Sequence, residues 1–187
     1  MNRFDALGRR MRAAHASWQL GVSDLTLAQV NHHEREGVLP IAFSLVHLVT
    51  TEDIRLSATL GLPDSIWKAE GIQHAIGANV PSVARGTPID VAETLTLADL
   101  DAWRDYQTRV FAQTDAQLAR LDDARWDEVV LEEVPTAMHG GFLHLLVGDN
   151  SVSMGDYFEV VLYHHSLRHL GELEHARALV GLTGVGG

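Results

Sequence analysis

Four segments of this 187-residue chain repeat their apolar residues every three or four positions, and a chain so patterned must bury four helical stripes against one another. The first stripe is Phe4, Leu7, Met11, Ala14 and Trp18, with arginines between, and Gly21 is expected to end it. The second starts near Pro40, a residue suited to a first helical position, and runs to Leu60 with Gly61 as its stop. Its front half, "IAFSLVHLV", is apolar nearly all round and calls for burial against several neighbours. Thr96, with Asp99 three residues on, is expected to cap the third, whose face reads Leu100, Trp103, Val110, Thr114, Leu118 and Leu121. The fourth opens with Ser153 and Asp156 at capping-box spacing and runs to about Val180. Its inward seam is Phe158, Leu162, His165, His169, Glu172 or Leu173, Ala176 and Val180.

The connections differ in kind. Between 61 and 93 the periodicity breaks at Pro63, Gly71, Gly77, Pro81, Gly86 and Pro88, and "DSIWKAE" has room for one short helix. A stretch of that length implies a crossover or a lid rather than a tight turn. Thr26 and Gln29 have capping-box spacing for a short helical turn. "VVLEEV" and "FLHLLV" either pair as a small hairpin or form short helical turns, and the "GVGG" tail reads as a frayed end. The expected architecture is a single domain over residues 1–187, all-α, a four-helix bundle with a long crossover connection.

The formal charge of −11 speaks against a nucleic-acid partner, since a phosphate backbone would be repelled. The densest basic stretch, "GRRMR", lies on the first amphipathic segment and reads as a solvated helix face. No apolar run approaches a membrane span and the N-terminus lacks a signal-peptide core, so a soluble, cytoplasmic protein is expected. The chain has no cysteine, so any metal must be held by His, Asp or Glu.

Histidines on a core seam demand an explanation, because imidazole nitrogens are costly to bury without partners. His165 and His169 lie four apart, on one helical face, where two rings can converge on one ion. His47, inside the most apolar helix, is the best supplier of a third nitrogen. The spacing alone proves little in a chain with 11 histidines, and the competing reading is three buried rings bonded to carbonyls or carboxylates. Glu172 either orients a ligand ring or bound water, or is an interface charge. Glu52 and Asp53 read as a solvated or salt-bridged pair, Asn31–His33 as surface, and His164 as outward-facing or turned to a second copy. His139 and His144 flank a glycine pair near the bundle mouth, within reach of a substrate, and Gly171 reads as a small residue where helices approach closely.

"LPIAFSLVHLVTTED" resembles the second helix of the DinB/YfiT-like metal-binding bundles, an apolar run leading to one histidine and then an acidic residue. "HHSLRHLGELEHARALVGLTG" resembles their last helix, with His-x-x-x-His-x-Gly-(Gln or Glu), and "GVSDLTLAQVN" is similar to their link between helices one and two. That resemblance implies a triad of His47, His165 and His169 holding zinc or nickel. It also implies transfer chemistry on a small-molecule substrate, with a low-molecular-weight thiol such as bacillithiol or mycothiol as cosubstrate, or a related isomerisation. A homodimer is expected too, since helices one and two offer more apolar surface than one bundle needs. The alternatives are a metal-dependent hydrolase with Glu172 as general base, and a non-catalytic, stress-associated metal-binding scaffold.

Overall fold

Asn2 opens the first helix: its side-chain oxygen accepts the Phe4 N–H, and α1 runs over Arg3–Ser23. This computed structural model describes residues 2–80 and 86–184, so residues 81–85 of the crossover, Pro81 among them, and the last three residues of the "GVGG" tail lie outside the described residues. Gly21 does not end α1. The carbonyls of its last turn are taken by side chains, Gly21 O by Arg177 and Val22 O by Arg104, so the helix continues to Ser23. Thr26 forms the expected capping box with Gln29 and starts α2, Leu27–Val30.

The second long helix, α3, spans Ile41–Leu60, with Pro40 at its N-cap and Gly61 left-handed at φ 66°. The crossover contributes α4 (Ile66–Ala69), the short helix foreseen in "DSIWKAE", and adds α5 (Ile72–Ala75) and α6 (Ile89–Ala92). The third long helix, α7, is Leu100–Leu118, and its cap is Asp99, which accepts from the N–H groups of Asp101 and Ala102. Thr96 is held elsewhere, its N–H donating to Asn79 Oδ1. "VVLEEV" supplies β1, Val129–Leu131, but its antiparallel partner is β2, Val152–Ser153. "FLHLLV" is instead helix α8, Phe142–Val147, since a continuous apolar run lacks the alternation of a half-exposed strand. Ser153 then caps α9 (Met154–Phe158), which passes through a π-helical segment, Glu159–His164, into α10, His165–Leu179.

Named contacts fix the directions. Asn2 reaches Leu121 O while Arg104 reaches the carbonyls of Val22 and Leu25, so α1 and α7 are antiparallel. Asp53 meets Tyr106 and Ser57 meets Gln113, so α3 and α7 are parallel, which is why a crossover must join them. Arg10 pairs with Glu159 and Arg177 with Gly21 O, so α10 runs alongside α1 in the same sense. The result is an all-α bundle of up-down-down-up topology. Among the described residues no helix is long and apolar enough to cross a membrane.

The core is divided in two. One apolar compartment gathers Trp18, Leu45, Leu48, Trp103 and Leu173; the other gathers Phe4, Leu7, Leu56, Leu118 and Leu162. Each long helix crosses the boundary on polar residues: His15 on α1, Glu52 and Asp53 on α3, Thr114 on α7, and His165, Ser166 and His169 on α10. Glu52 and Asp53 are 1% and 0% exposed, so they are not solvated, and Glu52 has an ion-pair partner in His15 when that ring is protonated. Glu52 stays buried because His15 Nε2 lies 3.1 Å away and the Thr114 hydroxyl donates to it. Asp53 accepts the N–H groups of Ile66 and Trp67 and the Tyr106 hydroxyl, tying the first turn of the crossover to α3. Thr114→Val takes a donor from a carboxylate that water cannot reach. It is expected to lower the unfolding free energy by about 1–3 kcal/mol, read by urea denaturation.

Candidate metal centre

His47 enters the centre from mid-α3, on the stretch where residues 41–50 are all buried. The Phe43 ring, one turn earlier, stacks against its imidazole with centroids 5.5 Å apart. His165 and His169 come from the first turns of α10, and His169 is 5% exposed. His165 sits where the π-helical segment hands over to α-helix. Its N–H bonds both Val160 O, the wider spacing, and Leu162 O. Beside it, the buried Ser166 donates its hydroxyl to the same Leu162 carbonyl at 2.8 Å.

The three rings present the same nitrogen to one point. His165 Nε2 lies 3.3 Å from His47 Nε2 and 3.0 Å from His169 Nε2, and the three rings each offer a ligand nitrogen within 4.8 Å of the other two. Nitrogens about 2.0–2.1 Å from a shared ion at tetrahedral angles would stand about 3.3 Å apart, so the spacing fits a small divalent cation. The donor chemistry fits too: three neutral imidazoles and no thiolate suit zinc or nickel equally. Among the described residues no fourth His, Asp or Glu joins the group, which leaves a position open beyond the three nitrogens.

Glu172 closes one side. Its Oε2 accepts the His169 Nδ1–H at 2.6 Å, which turns the lone pair of a neutral His169 ring, on Nε2, toward the other two histidines. That bond, aided by Arg168, holds the Glu172 carboxyl below the usual carboxylate range. His165 moves the other way for a cation. Burial first, then the charges His169 and His47 would carry, push its imidazolium down to about 2. The sign of the consequence follows from linkage. An unfolded histidine titrates near 6.5, so between about pH 6.5 and 2 the unfolded chain binds a proton that folded His165 refuses. The metal-free protein is therefore expected to hold this contribution fully above pH 6.5 and to lose it progressively as pH falls. Denaturant midpoints at pH 7.5 and 5 read it, and His165→Asn should flatten the slope.

The remaining histidines do not join the centre. His164 is half-buried under Phe142, whose ring stacks on it at 4.1 Å. His139 and His144 stack on each other at 4.4 Å, and His139 Nε2 donates to Val134 O. His32 is exposed beside Glu34, and Asn31 is occupied by the backbone of Leu97. Gly171 is corrected: it is exposed, and among the described residues a side chain there would meet nothing within 4 Å, so it does not mark a close approach of helices. Arg177 escaped the pattern. It is 3% exposed, donates to Gly21 O and Thr183 O, and grips both oxygens of Asp24, clamping α10 to the end of α1.

A family model described as the DinB superfamily matches residues 10–173. A crystal structure described as a conserved protein of locus from Enterococcus faecalis superposes with a TM-score of 0.75 at 16% identity, covering 96% of this chain and 98% of that one. That likeness shows the fold. No curated protein matches the chain.

Proposed function

This chain belongs to the DinB superfamily, and from that premise we propose that it is a metal-dependent transferase that adds a low-molecular-weight thiol to a small electrophile. The single observation that carries the reading is the convergence of the Nε2 atoms of His47, His165 and His169. A divalent cation held there, zinc or nickel, supplies the charge that keeps a cosubstrate thiol deprotonated near neutral pH. The chain lacks cysteine, so the nucleophilic sulfur comes with the cosubstrate. His47, His165 and His169 hold the cation, and Glu172 keeps the His169 ring turned toward it. Because Glu172 is engaged by His169 and by Arg168, it is spoken for as a hydrogen-bond acceptor. That favours thiol transfer over a hydrolase in which Glu172 would have to act as the free general base. Three ligands rather than four favour a reactive centre over a closed structural one.

A homodimer is part of the proposal. Phe142, Leu145, Leu146 and Leu167 are 43–74% exposed, an apolar surface of the kind that a second copy covers. A solution mass of one chain would reject it. The function itself is tested by metal content and then by thiol consumption. Purified, tag-free protein should hold about one zinc or nickel per chain. With bacillithiol or mycothiol and a chlorodinitrobenzene electrophile, it should form the carbon–sulfur bond and release chloride and a proton. Chelation should stop the reaction. Metal-loaded protein that consumes neither thiol faster than buffer would reject the transferase reading while leaving the metal site standing.

A further inference from the structure

We propose that Ser166 is a positioning residue for the metal centre: its hydroxyl, bonded to the Leu162 carbonyl, fixes the handover from π-helix to α-helix and so aims His165 at His47. The inference rests on the metal reading and adds a residue and a device to it.

Three observations converge on one carbonyl. The segment Glu159–His164 is π-helical within an otherwise α-helical run from Met154 to Leu179. Such wide turns leave the backbone ladder out of step, and a carbonyl at the junction is shared or short of its usual partner. Here that carbonyl is Leu162 O, which takes the His165 N–H and the Ser166 hydroxyl together. A serine hydroxyl bonded to the carbonyl four residues back bends a helix and slightly destabilises it. A buried residue that does so, 4% exposed and next to a candidate ligand, is not there for helix stability.

The consequence falls on one ring. His169, a full turn later, has its own orienting partner in Glu172. Among the described residues the nitrogen partners of His165 are the other two histidines. Its direction is therefore set by the backbone from which it projects, and that backbone is the junction Ser166 holds. Losing the hydroxyl lets the junction relax toward regular α-helix and swings His165 off the point the other two rings define.

The experiment compares zinc affinity and the visible absorption of the cobalt(II) form for wild type, Ser166→Ala and Ser166→Thr, with thermal unfolding of each metal-free protein alongside. Alanine is expected to weaken zinc about 10–100-fold, the range seen when a group that orients a ligand is removed. It should also change the cobalt band shape, while the metal-free melting temperature holds or rises. Threonine keeps a hydroxyl that bonds the same carbonyl and should restore both affinity and spectrum. An alanine variant that binds zinc as wild type does, with the same cobalt spectrum, overturns the inference and leaves the triad intact. So does an affinity loss matched by a large fall in metal-free stability, or one that threonine does not repair. Wild type that binds no zinc overturns the three-histidine reading, and this inference with it.

Discussion

Replacing His169 by alanine is expected to abolish stoichiometric zinc retention while leaving the metal-free fold nearly as stable as before. Three nitrogens are the whole of the candidate ligand set among the described residues, and two from the remaining helix positions do not hold an ion against buffer. The fold survives because the variant gives up two hydrogen bonds, to His165 and to Glu172, and no large apolar contact, and the Glu172 carboxylate it leaves is half-exposed to water. The expected change in unfolding free energy is under about 1 kcal/mol, well short of what a lost core anchor costs. Adding zinc separates the two proteins further. At a free concentration a hundred times the dissociation constant, zinc stabilises wild type by about 2.7 kcal/mol and the variant by nothing measurable. Melting curves with and without zinc read both effects at once.

Leu162→Ala is the opposite case. Leu162 is 1% exposed, in the π-helical segment three residues before His165, and belongs to the apolar compartment of Phe4, Phe158 and Leu56. Truncation leaves a cavity that rigid neighbours cannot fill, and the expected cost is about 2–5 kcal/mol. For a chain of this length each kcal/mol moves the melting temperature by about 2–4 °C. Zinc stoichiometry should be kept, since the Leu162 carbonyl and the three imidazoles remain. A protein in which Leu162→Ala loses zinc and His169→Ala loses stability would have the roles of core and centre reversed.

Much of the frame was legible because burial and helical period are one signal read two ways. The seams of α3 and α10 placed His47, His165 and His169 inward, and the structure brings their rings together. What escaped was decided by partners distant in sequence. Gly21 looks like a helix stop until Arg177, 156 residues away, takes its carbonyl. Thr96 and Asp99 both suit a cap, and the choice falls to Asp99 because Asn79 claims the Thr96 N–H. Glu52 and Asp53 look solvated because nothing local says that His15, Thr114 and Tyr106 will meet them. Two signals were there to be used. His15 lies four residues beyond Met11, and Arg177 four beyond Leu173, so the stepping that found the apolar seam also led to both. The strand partner of Val129–Leu131 had no such signal, since Val152–Ser153 is too short to show alternation.

The polar layer gives these residues a common meaning. Each of the four long helices interrupts its apolar stripe at the same height, and the candidate centre occupies one side of that interruption. A core that was apolar throughout would be simpler to pack. His165 and His169 of the candidate centre lie in that layer, and His47 lies just above it on α3, between Val46 and Leu48.

The most direct test is a crystal of the zinc-loaded protein, measured on either side of the zinc absorption edge. One anomalous peak per chain is expected, about 2.0–2.1 Å from the Nε2 atoms of His47, His165 and His169. A peak held by other residues, or no peak between these three rings in protein soaked with zinc, would contradict it.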